Sequence, residues 1–187
     1  MDRRPSGGMN QVHLALVVPV PEAESVCDLA EQFPRRRVTT GVAHITVATP
    51  FIPEREMTTD VTESLSDIGQ ARTRFEFALT RVDSFDSGWV YLAPQDAAPF
   101  LDLTQAVCSA FPSIDLYDGA HGTIVPHLTI RQEPNVAERE ALVESLRGRL
   151  PIHAVANELE LVRSGPDDWI RIAGFPLAAD PRITSAR

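Results

Sequence analysis

Two short segments of this chain carry the same arrangement of reactive side chains, His44-Ile45-Thr46-Val47 and His127-Leu128-Thr129-Ile130. Each sits in an apolar, partly β-branched run that reads as a strand. Residues two apart in a strand point to one face, so His44 and Thr46 project together, as do His127 and Thr129. Ile45, Val47, Leu128 and Ile130 then face the core. Two imidazoles titrate near neutral pH and can serve as a general acid and a general base. Two hydroxyls can hold an anion without bringing a fixed charge. No carboxylate stands beside either histidine in the chain, which speaks against a metal site built on imidazole with carboxylate or thiolate. An anionic centre cleaved by proton transfer fits better, and a phosphodiester is the obvious choice. One histidine would activate water and the other would protonate the leaving oxygen. The residues themselves do not say which does which.

A single His-x-Thr means little. The pair gains weight because the elements around it also recur. The first half opens with an apolar strand, Val12 to Pro19, followed by a helical stretch from Glu22 to Phe33 that stops at Pro34. The second half opens with Trp89 to Pro94, followed by a helical stretch from Ala97 to Phe111 that stops at Pro112. Proline disfavours helix in the residue before it, so both stops are expected. Each half then gives its His-x-Thr strand and a second helix, Glu54 to Ile68 and Val136 to Leu150. Each closes with a strand carrying Leu79-Thr80-Arg81 or Leu161-Val162-Arg163. Matching points lie roughly eighty residues apart, the signature of an internal repeat. Phe75 to Leu79 alternates like a half-buried strand. Asp86-Ser87-Gly88 and Pro166-Asp167-Asp168 make turns into Trp89 and Trp169.

The implied fold is α+β: a duplicated β-α-β-α-β unit in two pseudo-symmetric lobes, with mainly antiparallel sheets around a central cleft that both His-Thr pairs face. One bilobal domain is expected over residues 11–177, with repeats at about 11–86 and 87–177 and loose tails at 1–10 and 178–187.

The 187 residues, 43% hydrophobic, suffice for one packed domain without disulfides or metal. No apolar run approaches a membrane span; the best, Val12 to Val20, contains His13 and Pro19. Arg3 and Arg4 lead into no signal-peptide core. Cys27 and Cys108 read as reduced thiols, and the location expected is cytoplasmic. All 17 basic residues are arginines, and the net charge is −9. That balance argues against nonspecific grip on long nucleic acid, but leaves room for a nucleotide or an RNA end.

At this point the chain resembles the 2H phosphoesterase superfamily, whose members include 2′-5′ RNA ligase-like proteins and RNA 2′,3′-cyclic phosphodiesterases. HITV (44–47) and HLTI (127–130) resemble its paired HxTx signature. HITVATPFIP, His44 to Pro53, is similar to its first motif with the aromatic and proline that follow. Pro126 precedes the second motif as in the family. Phe75 to Phe85, Trp89 to Pro94 and Trp169 to Phe175 resemble the bacterial branch, so the likeness covers most of residues 11–177. It implies a LigT-like fold, catalysis by His44 and His127, phosphate binding by Thr46 and Thr129, and no metal or other cofactor. It also implies His44 as proton donor and His127 as base. The expected activity is opening of a 2′,3′-cyclic phosphate to a 2′-phosphate by a monomeric enzyme. The alternatives are 2′-5′ RNA ligation, hydrolysis of another cyclic or 2′-5′-linked nucleotide, and a binding module without turnover.

The remaining candidates are weaker. Phe51 either stacks on a base or packs in the core. Arg131 is read as lying off the Thr129 face, with an ion pair as its plain role and a phosphate contact as the alternative. His121 lies in a Gly-rich loop and is a candidate substrate contact. His13 either lines the cleft or is structural, and His153 reads as a surface residue. Arg35-Arg36-Arg37 reads as a solvated loop or an RNA-backbone contact. Trp89 and Trp169, related by the repeat, read as core.

Overall fold

The computed structural model describes residues 12–30, 43–116, 124–131, 135–165 and 169–180. Among them are eight strands and four α-helices. The order is β1 (His13–Pro19), α1 (Glu24–Ala30), β2 (His44–Ala48), α2 (Thr59–Gln70), β3 (Phe75–Ser84), β4 (Val90–Pro94), α3 (Ala98–Ala110), β5 (Leu128–Arg131), α4 (Val136–Arg147), β6 (Ile152–Ala156), β7 (Glu158–Ser164) and β8 (Trp169–Pro176).

The strands form two antiparallel four-stranded sheets, ordered β2-β1-β7-β8 and β5-β4-β3-β6. The two orders match position for position: β2 corresponds to β5, β1 to β4 and β7 to β3. The halves of the chain are therefore interlaced. β3 of the first half pairs with β4 of the second, and β7 of the second pairs with β1 of the first. The expected two-lobed α+β fold is present, but one sheet takes β7 and β8 from the second half and the other takes β3 from the first.

The helices are exchanged in the same sense. α3 packs on β2, and α1 packs on β5. One continuous apolar core joins both sheets to the helices, from Leu14, Leu16, Ile45 and Val47 to Leu92, Leu128, Leu142 and Leu146. The β2 and β5 edges touch each other. The sheets thus meet along the two strands that carry the His-Thr pairs.

Local sequence explains the element ends. The expected helix from Glu54 splits into a 3₁₀ turn, Glu54–Glu56, and α2, because Thr58 caps the helix by accepting from Val61 N. Asn135 and Glu138 form a reciprocal capping box at the start of α4. Gly88, at φ 90°, donates to Phe85 O and turns β3 into β4. β6 is an addition to the expected elements, which passed from the helix ending at Leu150 to the strand carrying Leu161-Val162-Arg163. A loose tail is expected from residue 178, but its described part, to residue 180, is anchored. Ala178 N donates to Arg72 O, Arg74 N donates to Ala178 O, and Asp180 is buried.

α2 approaches β8 closely at Gly69. A Cβ there would lie 2.7 Å from Pro176 O and 3.2 Å from Phe175 O. Only glycine lets the helix lie this near the strand that begins with Trp169.

Candidate active site

Apolar anchoring sets the motif faces. Ile45 and Val47 are 0% and 1% exposed, and each such burial stabilises by about 1.5–3 kcal/mol. A one-residue slip would send both to the open face and drive His44 and Thr46 inward. Leu128 and Ile130 hold β5 in the same way. His44 and Thr46 therefore lie on the open face of β2, and Thr129 on the open face of β5. His127 stands at the residue before β5, rather than within it. A hydrogen bond fixes the depth of β2: the buried Thr104 hydroxyl of α3 donates to Val47 O at 3.0 Å, with Phe100 O at 3.1 Å as a second acceptor.

Cross-strand register builds equivalent rows beside the two threonines. Thr46 stands opposite Val17, and Val17 opposite Glu160. Thr129 stands opposite Tyr91, and Tyr91 opposite Asp83. Each open face thus has a carboxylate two strands from its threonine. Asp83 meets Arg81 Nε at 3.4 Å and the Tyr91 hydroxyl. Burial, and then the Asp83 charge, push the Tyr91 phenol above its usual range. Glu160 accepts from Arg171 Nε at 2.6 Å, and Glu158 accepts from Arg171 Nη2 at 3.0 Å. These carboxylates hold the Arg171 guanidinium firmly charged. A Cβ on Gly174 would lie 2.2 Å from both Arg171 Nη2 and Glu158 Oε2, so glycine leaves the space for this cluster.

The two histidines have different surroundings. His127 Nδ1 lies 2.7 Å from Val125 O. A carbonyl only accepts, so Nδ1 carries the proton and the neutral ring presents the Nε2 lone pair. Burial pulls the His127 pKa below its ordinary value, and the bond to Val125 O opposes only part of that shift. Phe85 and Tyr91 meet this ring steeply, at 82° and 61° with centroids at 4.9 and 5.2 Å. His44 is buried and lies against the Trp169 ring, at 4.4 Å between centroids and 32° between planes.

Trp169 reaches His44 across the sheet. It starts β8 opposite Ser164, while His44 lies on the far edge opposite Pro19. Its side chain packs on Ala15, Val17 and Val162 along the open face. Register shifts at Leu16/Val17 and Leu161/Val162 curl the sheet and bring these corners together. The repeat suggested a core position for Trp169; the structure places it on the site face.

The other candidates disperse. Phe51 is 4% exposed and packs edge-on against Phe111 in the core. Strict alternation would put Arg131 on the Thr129 face. A register shift between Val90 and Tyr91 instead sets Arg131 opposite the core residue Val90, buried. His13 is half-buried opposite Ser164, and His153 is exposed on β6. His121 and Arg35 to Arg37 lie outside the described residues. Cys27 and Cys108 form no disulfide. Among the described residues, no three His, Cys, Asp or Glu side chains form a set able to hold a metal ion, and no helix is long and apolar enough to cross a membrane.

The interlaced antiparallel sheets, joined at two His-x-Thr strands, define a LigT-like two-lobed fold. A profile of the 2′-5′ RNA ligase superfamily matches residues 18–168, and the chain belongs to that superfamily, the 2H phosphoesterases. Crystal structures of E. coli LigT, one with NADP⁺ and one with 3′-AMP, share the fold at 14% identity with TM-scores of 0.56 and 0.57. Each match covers 88% of this chain and 97% of LigT. TT0787 of Thermus thermophilus matches at 16% identity and a TM-score of 0.61, over 89% of this chain and 98% of that one. None of the curated protein sequences matches this chain.

Proposed function

We propose that the protein opens 2′,3′-cyclic phosphates of nucleotides or RNA ends to 2′-phosphates, using His44 and His127 as acid and base. The observation that carries this reading is the abutment of β2 and β5, each presenting its motif threonine from the open face beside a motif histidine. His127 Nε2 takes a proton from water as the water oxygen bonds to phosphorus. The bond from phosphorus to O3′ breaks, and His44 gives its proton to O3′. The phosphate stays on O2′. Thr46 and Thr129 hydroxyls donate to the non-bridging oxygens. A 5′-hydroxyl in place of water would give a 2′-5′ linkage by the same bond changes, which ties hydrolysis to the ligation in the superfamily's name. The complexes of LigT with NADP⁺ and 3′-AMP support a nucleotide as the ligand here. Two cysteines outside any disulfide accord with a cytoplasmic setting.

The test is incubation with a 2′,3′-cyclic nucleotide and with an RNA ending in a cyclic phosphate, both in EDTA, followed by phosphorus NMR. Conversion to a 2′-phosphate that is lost in His44→Ala and His127→Ala supports the reading. Conversion that survives both substitutions, or needs metal, overturns it.

A further inference from the structure

We infer that Trp169 is a positioning residue that holds His44 in its protonated form and so makes it, rather than His127, the proton donor. This rests on the acid/base reading above and names what separates the two roles. An acid must carry its proton into the reaction, yet burial disfavours the charged ring. His44 is buried, but its ring lies against an indole, 4.4 Å between centroids and tilted by 32°. The negative face of an indole attracts a cation within about 6 Å of its centroid, most strongly where water is excluded. His127 is placed differently: Phe85 and Tyr91 meet it steeply, and its Nδ1 is engaged by a carbonyl that sets the neutral tautomer. A duplicated pair of histidines thus becomes an unlike pair through its aromatic neighbours.

Other charged and titratable groups stand on the elements packed around this ring. On β7 and β8, Glu160 and Glu158 are engaged by Arg171. On β1, His13 lies at the far end of the strand from Pro19, the partner of His44. On β5, Arg131 is set opposite Val90, and His127 precedes the strand. On α3, behind β2, Asp102 pairs with Arg72 and Cys108 is a neutral thiol whose pKa burial raises.

The experiment is NMR titration of the histidine ring protons in the full chain, with His44 assigned from its loss in His44→Ala. Trp169→Leu and Trp169→Met remove the π face, and Trp169→Phe keeps a smaller one. Thermal melting and the His127 resonance report whether the fold is intact, and the Met variant is read if the Leu variant does not fold. The expected result is a His44 midpoint lower by roughly half a unit to one unit in the Leu or Met protein, mostly restored in the Phe protein. The alkaline limb of kcat on a 2′,3′-cyclic nucleotide should move down by the same amount. A His44 midpoint unchanged in a folded Leu or Met variant overturns the inference. So does an equal fall in all three variants accompanied by movement of His127, which would report repacking. Absence of turnover in the wild type would sink the cyclic-phosphate reading, while the titration would still decide the role of Trp169.

Discussion

The helix of one half fixes the reactive strand of the other through a single buried hydroxyl, so Thr104→Val tests whether the site depends on the interlacing. β2 is an edge strand, bonded to β1 on one side only. Val47 O accepts from the Thr104 hydroxyl at 3.0 Å, and Thr104 is 4% exposed. Valine matches threonine closely in shape, so the change leaves no cavity and little difference in helix propensity. What remains is a buried carbonyl that has lost its donor, at a cost of about 1–3 kcal/mol. For a chain of this size each kcal/mol lowers Tm by about 2–4 °C, so a fall of roughly 2–12 °C is expected. Thermal and urea unfolding followed by circular dichroism measure it. Activity should suffer separately, because Val47 adjoins Thr46 and lies three residues from His44. A shift of β2 of about 1 Å could lower kcat by up to about a hundredfold. Thr104→Ser keeps the donor and should recover most of both losses. A Thr104→Val protein within about 0.5 kcal/mol of wild type, with unchanged kcat, would refute the argument that this bond sets the strand.

With His127 as the base proposed above, the acid limb of kcat/KM should have its midpoint below the ordinary histidine value, because the base acts in its neutral form and burial lowers its pKa; a midpoint above 6.5 in a pH-rate profile would contradict this. The same shift makes stability fall as pH drops below 6.5, since the unfolded chain takes up a proton that folded His127 resists. Urea titrations at several pH values should show that slope in wild type and lose it in His127→Gln. Gly69→Ala should destabilise by about 1–2 kcal/mol despite better helix propensity, because the clashing atoms are backbone oxygens of β8; a stabilised protein on thermal melting would show that α2 moves freely. Gly174→Ala should push the Arg171 and Glu158 side-chain ends apart. Its Arg171 guanidinium proton signal, sharp in wild type if the cluster persists in solution, should broaden, and an unchanged signal would count against the cluster.

Much of the fold was legible because it is written twice. The offset between the halves located β1 with β4, β2 with β5 and β3 with β7 from apolar runs and proline stops alone. What the repeat could not reveal was which half each closing strand joins. Pairing β3 with β4 and β7 with β1 is decided by long-range contacts, and nothing in the sequence of a strand names its partner. The faces of His44 and Thr46 followed from alternation, because Ile45 and Val47 are buried on the other side. Alternation failed wherever a bulge intervened. The bulge in β5 takes Arg131 to the core side, and those in β1 and β7 curl a sheet so that Trp169 reaches His44 from the opposite edge. Tyr91 lies in a segment that reads as a strand and Phe85 just before the turn into it, but their closeness to His127 depends on the β3–β4 pairing. Phe51 follows its motif in the chain and still turns to the core, against Phe111 of the other half.

Duplication alone yields two equivalent histidines, and equivalence is a poor starting point for acid–base chemistry. Two like imidazoles at one pH would be protonated to the same extent, so the productive state, one neutral and one charged, would be shared between two arrangements. The surroundings remove that degeneracy. On one side the backbone supplies a carbonyl to Nδ1, and burial favours the neutral ring. On the other, strand curl lays an indole face against the ring. These features come from parts of the chain that differ between the halves: the residues entering β5, and the start of β8. The pseudo-symmetric framework brings the two motif strands to one joint, and in the mechanism proposed above the departures from symmetry set the direction of proton transfer.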